Sequence, residues 1–482
     1  MTQQNLRSKA MKGASFTVAG RLLRAFQGVA VLGILSRYLS PAEFGLISMV
    51  AFVSGIAQIL TDFGTRIALV QRGNVTKLEE DCVFWWNLGI GAVMTMATMM
   101  FSPWIAQVMG DSRIVGPLLW VAPIFVFGAL QGVPQSVLER RLAFGHLTIS
   151  EVAGAVSSSA VAVAMVLLGF KIEALIAQMM AGPIVTMLCI MWFSRWRPRL
   201  QFSYSVLRPL LSYGSYVTAA GVVQFLSSQI DRPIVGNRLS TTDLGYSRMA
   251  DQIVFTPLRI TVQMVRKVMF PIMATIQEDD ARMRRGYLTM QHGLMVVMAP
   301  VAFGLWAVAH PAVRLLLGPG WDMVAVLMGL TTIRSMFGTV NDLNSVIFSA
   351  KGWAKFQFKW SIFSASMTIC TLLVTVNYGI VAVVAGKLVL TILLTPINCS
   401  FALRLIGQPP MEVVKVLGRP VLSAAAMGLA VAVVQAHLTI SPLLQLAVCI
   451  PLGVALYVAG QLLLDRARFV PLLRQIVTRG RR

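Results

Sequence analysis

The sequence predicts an all-α membrane protein that crosses the bilayer about 14 times. Three observations lead to this fold class. Of the 482 residues, 56% are hydrophobic and 12% are charged, about half of the charged fraction that soluble domains carry. The mean hydropathy is +0.73. The apolar residues form runs of about 20, the length of helix that spans a hydrocarbon core, and unpaired strand edges cannot face lipid.

The apolar runs follow one another with short polar connections, and each is predicted to be one transmembrane helix. Their predicted limits are 14–35, 44–65, 83–108, 115–137, 147–168, 173–194, 211–230, 244–265, 287–309, 322–349, 357–377, 380–403, 416–436 and 442–464. The first, second, eighth and tenth runs are the least apolar. The first run has no small-residue cleavage site, so we interpret it as a retained helix and not as a signal peptide.

Lysine and arginine are distributed unequally over the alternating connections. If the N-terminus is cytoplasmic, roughly 28 basic residues lie on the inner side and about 6 on the outer side. A single missed helix would invert the second half of this pattern, so both termini are predicted to be cytoplasmic. The net charge of +22 then reflects topology and contact with anionic membrane lipids, and no nucleic-acid partner is expected.

Residues that would hold a metal or a cofactor are not grouped in the sequence. The five cysteines have no C-x-x-C spacing, and the four histidines form no ligand pair. A phosphate-binding G-x-x-x-x-G-K-[ST] loop is absent as well. The sequence therefore predicts neither a metal nor a cofactor, and it gives no sign of a bound nucleotide that drives the protein.

An internal repeat relates the two halves of the chain. "LSPAEFGLISMVA" (39–51) matches "LSTTDLGYSRMAD" (239–251) at its Leu, Ser, Gly and Met positions, and Glu43 matches Asp243. The acidic pair at 79–80 recurs at 279–280 with the same spacing, and the Phe-Gly pair at 127–128 recurs at 337–338. The first six predicted spans therefore repeat as spans seven to twelve.

The repeat predicts two lobes and a C-terminal addition. Residues 1–200 form the N-terminal lobe, residues 201–404 the C-terminal lobe, and residues 405–482 two additional spans with a basic cytoplasmic tail. Because each copy has an even number of spans, both copies have the same orientation and are related by an axis along the membrane normal. Two such lobes are expected to enclose a cavity that opens alternately to the two sides of the membrane.

Polar residues form one stripe on each of three predicted spans, at the spacing of a helix face. The stripes are Thr17, Arg21, Arg24 and Gly28 in span one; Arg248, Gln252, Arg259, Gln263 and Arg266 in span eight; and Thr331, Arg334, Gly338, Asn341, Ser345 and Ser349 in span ten. Polar faces of this kind cost too much free energy to point at lipid. They are expected to face each other or water.

Four segments resemble one family of membrane transporters over the whole chain and in order. They are "RYLSPAEFGLISMVAFVSGIAQILTDFGTRIALVQR" (37–72), "DRPIVGNRLSTTDLGYSRMADQIVFTPLRITVQMVRKVMFPIMATIQEDDARMRRGYL" (231–288), "LLLGPGW" (315–321) and "FQFKWS" (356–361). The chain resembles the polysaccharide transporter (PST-type) family of the multidrug/oligosaccharidyl-lipid/polysaccharide (MOP) exporter superfamily.

The resemblance implies two six-helix lobes, two extra C-terminal helices and a flippase. Members of that family are thought to move oligosaccharide repeat units, linked to undecaprenyl pyrophosphate, outward across the bacterial inner membrane. The implied partners are the lipid-linked oligosaccharide and membrane lipids, with a polysaccharide polymerase and a chain-length regulator as further candidates.

The polar stripes and the resemblance together predict a cationic cavity for the pyrophosphate headgroup, because arginine binds phosphate through paired, charge-assisted hydrogen bonds. The predicted substrate-binding residues are Arg21, Arg24, Arg248, Arg259 and Arg334. The predicted supporting polar or ion-pair residues are Asp62, Arg66, Asp251, Gln252, Gln263, Asn341 and Asp342.

Internal ion pairs are the alternative interpretation of the arginines. Arg66 can pair with Asp62, and Arg248 with Asp251, because each pair lies one helical turn apart. Four arginines have no carboxylate one turn away on the same helix: Arg21, Arg24, Arg259 and Arg334. A partner for any of these four would have to come from another span.

Three other functions were weighed against the flippase. A cation-coupled multidrug exporter of the same superfamily would need buried carboxylates. The candidates that we expect inside the spans are Asp62, Asp251 and Asp342, and the first two have an arginine one turn away. A flippase of peptidoglycan precursors would share the cationic cavity, but its motifs match less well. A polysaccharide polymerase or glycosyltransferase would need a long outer loop or an acidic pair, whereas the outer loops are short and Glu43 stands alone. The chain is therefore not expected to be an enzyme.

Overall fold

The computed structural model of the chain describes residues 20, 23–24, 27–276, 278–466 and 468–471. Side chains are described throughout these ranges except at 256–257, 259–261, 263–272, 274, 354 and 410. Arg21 therefore lies outside the described residues, and so do the side chains of Arg259 and Gln263.

The described residues are helical almost throughout and contain no strand. The helices are α1 (27–35), α2 (Pro41–Asp62), α3 (Thr65–Gln71), α4 (Lys77–Met109), α5 (Val115–Val121), α6 (Ile124–Arg140), α7 (Phe144–Leu167), α8 (Ile172–Ser194), α9 (Tyr204–Gln229), α10 (Asp231–Arg238), α11 (Thr241–Thr275), α12 (Asp280–Ala307), α13 (Ala309–Leu316), α14 (Asp322–Ala350), α15 (Ala354–Thr375), α16 (Ile380–Leu405), α17 (Pro410–His437) and α18 (Pro442–Leu464). Single 3₁₀ turns occur at Ser112–Ile114 and Val376–Tyr378.

Within the described ranges, 11 helical segments are long and apolar enough to cross a membrane. The chain is therefore an all-α, multi-pass membrane protein, as the sequence predicted. Three predicted spans are not among the 11. The first lies partly outside the described residues, whereas the seventh and eighth coincide with α9 and α11, which are long helices of lower hydropathy. The total of about 14 spans stays a prediction.

The described residues divide into two compact units, one ending at Gly245 and the other beginning at Tyr246. In the first unit α4 packs on α6, α6 on α8, and α8 on α7. In the second unit α12 packs on α14, α14 on α16, and α16 on α15. The same order of packing recurs in both, as an internal repeat requires. Because α9 packs on α2, α3 and α4, the first unit extends beyond residue 200. The predicted lobe limits stay a prediction.

The repeated acidic pair has equivalent roles in the two units. Glu79 completes a capping box with Thr76 at the start of α4, and Asp279 caps α12 by accepting the backbone N–H of Arg282 at 2.9 Å. One residue further on, Glu80 pairs with Arg140 at the end of α6 at 3.7 Å. Asp280 pairs with Lys351, directly after α14, at 2.7 Å. These ion pairs tie α4 to α6 and α12 to α14.

The other repeated acids also cap helices. The Glu43 carboxylate accepts the backbone N–H of Ser40 at 2.6 Å and its hydroxyl at 2.9 Å at the start of α2. At the start of α11 the Ser240 hydroxyl donates to the Asp243 carboxylate at 2.6 Å and accepts the Asp243 backbone N–H at 3.0 Å. Side-chain caps satisfy backbone groups that a helix end leaves unpaired. Glu43 therefore has a structural role as a helix cap.

Two repeated glycines allow the starts of α2 and α11 to approach closely within the first unit. A Cβ atom at Gly45 would lie 1.8 Å from the Thr241 carbonyl oxygen, and one at Gly245 would lie 1.8 Å from the Pro41 carbonyl oxygen. No side chain fits at these distances, so both positions need glycine.

The two C-terminal helices pack within the second unit. Helix α17 packs along α12, and α18 packs on α17. The Tyr457 hydroxyl donates to the Val296 carbonyl at 2.9 Å. Asp465, fully buried after the end of α18, lies 2.6 Å from His292 Nε2 and 3.1 Å from an Arg419 nitrogen. This ionic contact joins α12, α17 and the end of α18.

Candidate functional site

Arg24, on the first predicted polar stripe, has a partner on another helix. Its Nη2 atom lies 2.7 Å from the Glu151 carboxylate of α7, and its Nε donates to the Gly20 carbonyl at 3.4 Å. Both side chains of the ion pair are partly exposed. Glu151 lies in the fifth predicted span, so the prediction that Asp62, Asp251 and Asp342 are the only acids inside spans is wrong.

Gln27, which was not part of the predicted stripe, also contacts α7. The Gln27 side-chain amide donates to the Ala155 carbonyl at 2.7 Å and to the Ser159 hydroxyl at 2.8 Å. Glu151, Ala155 and Ser159 follow one another at intervals of four residues, which places them on one face of α7. Arg24 and Gln27 therefore both find polar partners on α7.

Arg66 is an ion-pair residue, but its bonded partner is not the predicted one. Its Nη1 atom lies 2.7 Å from the Glu139 carboxylate at the end of α6, not on Asp62. The predicted pairing assumed one continuous helix, whereas α2 ends at Asp62 and the next two residues have positive φ angles, 44° at Phe63 and 61° at Gly64. Arg66 belongs to α3, so the one-turn relation to Asp62 is lost.

Arg334, on α14, is held by two groups of α11. Its Nη2 atom lies 3.4 Å from the Asp251 carboxylate, and its guanidinium carbon lies 5.2 Å from the centre of the Phe255 ring. Its Nε is buried and has no hydrogen-bond partner among the described residues. The side chain is 19% exposed, so a ligand can reach part of it. A guanidinium over an aromatic ring gains electrostatic energy and has a fixed orientation.

Four further residues of the predicted site lie on α11 and α14 and interact with neighbouring groups. Arg248 and Gln252 lie on α11 and are engaged by neighbouring groups. The pairing of Arg248 with Asp251 stays a prediction. On α14, Asp342 is also engaged. Asn341 donates to the Thr395 hydroxyl of α16 at 3.0 Å, while its carbonyl oxygen is buried without a partner among the described residues.

Three arginines of the predicted site share one arrangement. Arg24, Arg66 and Arg334 each reach a carboxylate on a different helix, and each uses one guanidinium nitrogen for it. An arginine has five N–H donors. Part of every guanidinium therefore remains for a second acceptor, and an anion with several oxygens can share or replace the carboxylate.

A buried polar network in the second unit was not predicted. Asn344 of α14 accepts the Tyr287 hydroxyl at 2.6 Å and donates to Asn398 at 2.7 Å, and Gln291 donates to the Tyr287 oxygen at 3.1 Å. These four polar residues lie inside apolar predicted spans, which is a sequence signal for a buried polar network, but the predicted site did not include them. The network joins α12, α14 and α16. No group of three or more His, Cys, Asp or Glu suited to a metal occurs in the described ranges.

The chain matches known proteins over most of its length. A family model described as "Polysaccharide biosynthesis protein" matches residues 34–326, more than half of the chain. The succinoglycan biosynthesis transport protein ExoT of Rhizobium meliloti is 27% identical over 463 residues, which cover 93% of this chain and 91% of that protein. The lipopolysaccharide biosynthesis protein WzxC of Escherichia coli is 22% identical over 403 residues, covering 81% of this chain and 80% of that protein.

Solved structures agree on the fold. The lipid II flippase MurJ, in an inward closed conformation, aligns with a TM-score of 0.77 at 15% identity and covers 95% of this chain and 99% of its own. An inward-facing multidrug resistance MATE transporter of the MOP superfamily aligns with a TM-score of 0.62 at 14% identity, over 81% and 98% of the two chains. The chain belongs to the polysaccharide biosynthesis protein family, as a polysaccharide transporter with the fold of the MOP superfamily.

Proposed function

We propose that the protein is a flippase that moves an oligosaccharide repeat unit, linked to undecaprenyl pyrophosphate, outward across the bacterial inner membrane. The exported unit would serve the synthesis of an exopolysaccharide, a capsule or an O-antigen. The observation that carries this proposal is the match with a succinoglycan transport protein over more than nine-tenths of both chains. The name of this relative, a transport protein, also supports a role in relocating the substrate without chemically changing it.

The headgroup is proposed to bind to membrane arginines. Arg24 and Arg334 are the candidates whose contacts are described above, and Arg21, Arg248 and Arg259 remain further candidates. A pyrophosphate offers several oxygens and more negative charge than one carboxylate, so it competes well for a guanidinium. The partial exposure of both described arginines leaves room for this exchange.

The carboxylates Glu151 and Asp251 are proposed to act as counter-ions of the empty site. An arginine without a counter-ion is costly inside a membrane, and it would also hold the headgroup too tightly for release. When the headgroup leaves, each carboxylate can return to its arginine, at 2.7 Å for Glu151 and 3.4 Å for Asp251. A flippase must bind and release the same ligand in every cycle, and the exchange serves both steps.

Transport is proposed to occur by alternating access around a cationic cavity, with residues 1–200 and 201–404 as the two moving lobes. Both termini are placed in the cytoplasm, which the asymmetry of basic residues supports. A polysaccharide polymerase that uses the flipped unit, and a regulator of chain length, are the proposed protein partners.

A deletion strain tests the proposed function. Loss of the gene should stop polysaccharide export and cause a lipid-linked repeat unit to accumulate on the inner side of the membrane. The wild-type gene should restore export, whereas Arg24→Ala or Arg334→Ala should not, at equal abundance in the membrane. Normal export, or a deletion strain without accumulated lipid-linked sugar, would contradict the proposal. The purified protein should relocate a lipid-linked sugar in vesicles without cleaving or extending it.

A further inference from the structure

A polar cavity lies inside the first unit, apart from Arg24 and its partner. It has a volume of about 260 Å³ and is bounded by α2, α3, α4 and α6. The side chains that carry its polar surface are Gln58, Asp62, Arg66, Asn87, Gln131 and Gln135. Such a concentration of polar groups within apolar spans is costly and therefore indicates a functional site.

Hydrogen bonds fix one wall of this cavity. Along α6, the Gln131 amide nitrogen donates to the Gln135 carbonyl oxygen at 3.0 Å, and the Gln135 nitrogen donates to Glu139 at 3.0 Å. The Glu139 carboxylate is held in turn by Arg66 at 2.7 Å. Because these consecutive hydrogen bonds end on the ion pair between Glu139 and Arg66, the Gln131 and Gln135 amides have a preferred orientation. The Gln131 carbonyl oxygen and one N–H of each amide remain for a ligand.

The opposite wall carries the Asp62 carboxylate and the Gln58 amide, which line the cavity. Asp62 is attracted electrostatically by Arg66, whose hydrogen bond goes to Glu139. Two glycines of α6 keep the space in front of the amides open. A Cβ atom at Gly128 would lie 3.6 Å from the Gln58 nitrogen, and one at Gly132 would lie 3.5 Å from the Asn87 nitrogen. Both distances are ordinary contacts, so an alanine would fit there but would occupy the space.

The charges and the volume restrict what the cavity can bind. Two carboxylates, Asp62 and Glu139, face one guanidinium, Arg66, so an anion such as phosphate is disfavoured. Arg66 in turn disfavours a metal cation. The remaining amides and carboxylate offer both donors and acceptors, which is the pattern that neighbouring hydroxyl groups need. The volume lies just below the range of about 300–1,000 Å³ typical of small-molecule pockets, and suits one sugar ring.

We propose that this cavity binds one sugar ring of the transported oligosaccharide through its hydroxyl groups, and so contributes to the choice of repeat unit. Asp62 and Gln58 bind the hydroxyls of the ring, and Gln131 and Gln135 form the fixed wall against which it lies. The inference rests on the proposed function, because it assumes a saccharide cargo. It assigns the sugar to the α2–α6 cavity and leaves the phosphates to the arginines.

Saturation-transfer NMR on the purified full-length protein in detergent tests this site, because the method detects weakly bound sugars. The probes are D-glucose, D-galactose, D-mannose and L-rhamnose, with the open-chain polyol sorbitol as the reference. At least one ring sugar should give a signal above that of sorbitol. Asp62→Asn, which removes the charge and keeps the shape, should lose this signal, and so should Gly128→Ala, which fills the cavity. Gly89→Ala on α4 is the matched control, because its Cβ would meet nothing within 4 Å.

The outcomes separate this inference from the proposed function. A signal no stronger than that of sorbitol in the wild type, or one that survives in both cavity variants, overturns the sugar site. A response of Asp62 to sodium or protons without any sugar signal also overturns it and identifies a cation site. If the deletion strain accumulates lipid-linked sugar while the NMR signal is absent, only the sugar site fails. If no lipid-linked sugar accumulates, the proposed function itself fails.

Discussion

Arg24 Nη2 lies 2.7 Å from the Glu151 carboxylate, so an arginine that we propose to bind the headgroup is already paired with a negative charge of the protein. Glu151→Gln removes the charge and keeps the shape. Because the carboxylate no longer competes, headgroup binding should tighten by about two- to five-fold, the effect of one partly exposed ion pair. Export should slow, since release is hindered. Binding of a fluorescent undecaprenyl pyrophosphate to the purified protein measures the first effect, and polysaccharide export measures the second.

The control is Glu173→Gln, the same chemical change at an exposed position of α8 whose carboxylate accepts the nearby Lys171 backbone N–H at 3.2 Å. It should leave both measurements unchanged. Equal affinity of wild type and Glu151→Gln would mean that the carboxylate does not compete with the headgroup. If Arg24→Ala also binds normally, the arginine is not a headgroup ligand at all.

The location of the helices could be predicted from the sequence, whereas the pairing of their charges could not. Runs of about 20 apolar residues mark the spans because bilayer thickness sets their length. The helix starts were not predicted: Ser40 and Thr76 each precede a glutamate by three residues, a capping signal that the predicted limits at 44 and 83 did not use. Spacing in sequence, however, relates residues of one helix only. The partners of Arg24 and Arg334 lie on other helices and become adjacent through packing.

Arg66 illustrates a second limit. The predicted span 44–65 ran through Phe63 and Gly64, where the chain in fact leaves the helix. A single glycine inside an apolar run is weak evidence for a break, because transmembrane helices often contain glycine. Arg66 contacts Glu139 because α3 packs on α6. The repeat was more informative, because it related Glu80 to Asp280, and both residues form an ion pair with the end of a neighbouring helix.

The close approach of α2 and α11 predicts that glycine is required at Gly45 and Gly245. An alanine at either position would place a Cβ atom 1.8 Å from a carbonyl oxygen, so the two helix starts would have to separate. Each variant should lose about 1–3 kcal/mol of stability, the usual cost of overpacking. Thermal unfolding in detergent measures the loss. Gly116→Ala, with nothing within 4 Å of its Cβ, should unfold like the wild type. Equal stability of Gly45→Ala and Gly116→Ala would refute the close approach.

The buried contact around Asp465 predicts a large loss on removal of its charge. Asp465→Ala would leave His292 and Arg419 without the carboxylate that lies 2.6 and 3.1 Å from them. Because His292 is buried, its ring nitrogen would lose its hydrogen-bond partner, whereas the half-exposed Arg419 guanidinium can turn to water, so stability should fall by about 1–3 kcal/mol. The control is Asp322→Ala, whose ion pair with Arg314 is exposed on both sides and should contribute about 1 kcal/mol or less. Similar unfolding temperatures for the two variants would mean that α17 and α18 are held by apolar packing alone.

The predicted orientation of the chain can be tested with single cysteines on two connections separated by α4, α5–α6 and α7. Gly73 and Lys171 are both exposed, and the asymmetry of basic residues places Gly73 inside and Lys171 outside. The five natural cysteines, Cys82, Cys189, Cys370, Cys399 and Cys449, are first replaced, because none forms a disulfide and Cys370 is exposed.

In intact cells with a permeabilised outer membrane, a membrane-impermeant maleimide should label Lys171→Cys and not Gly73→Cys. Opening the inner membrane should make both react, which controls for accessibility. Labelling of Gly73→Cys alone would invert the topology and place both termini outside, whereas labelling of both would mean that the segment between them crosses the membrane an even number of times.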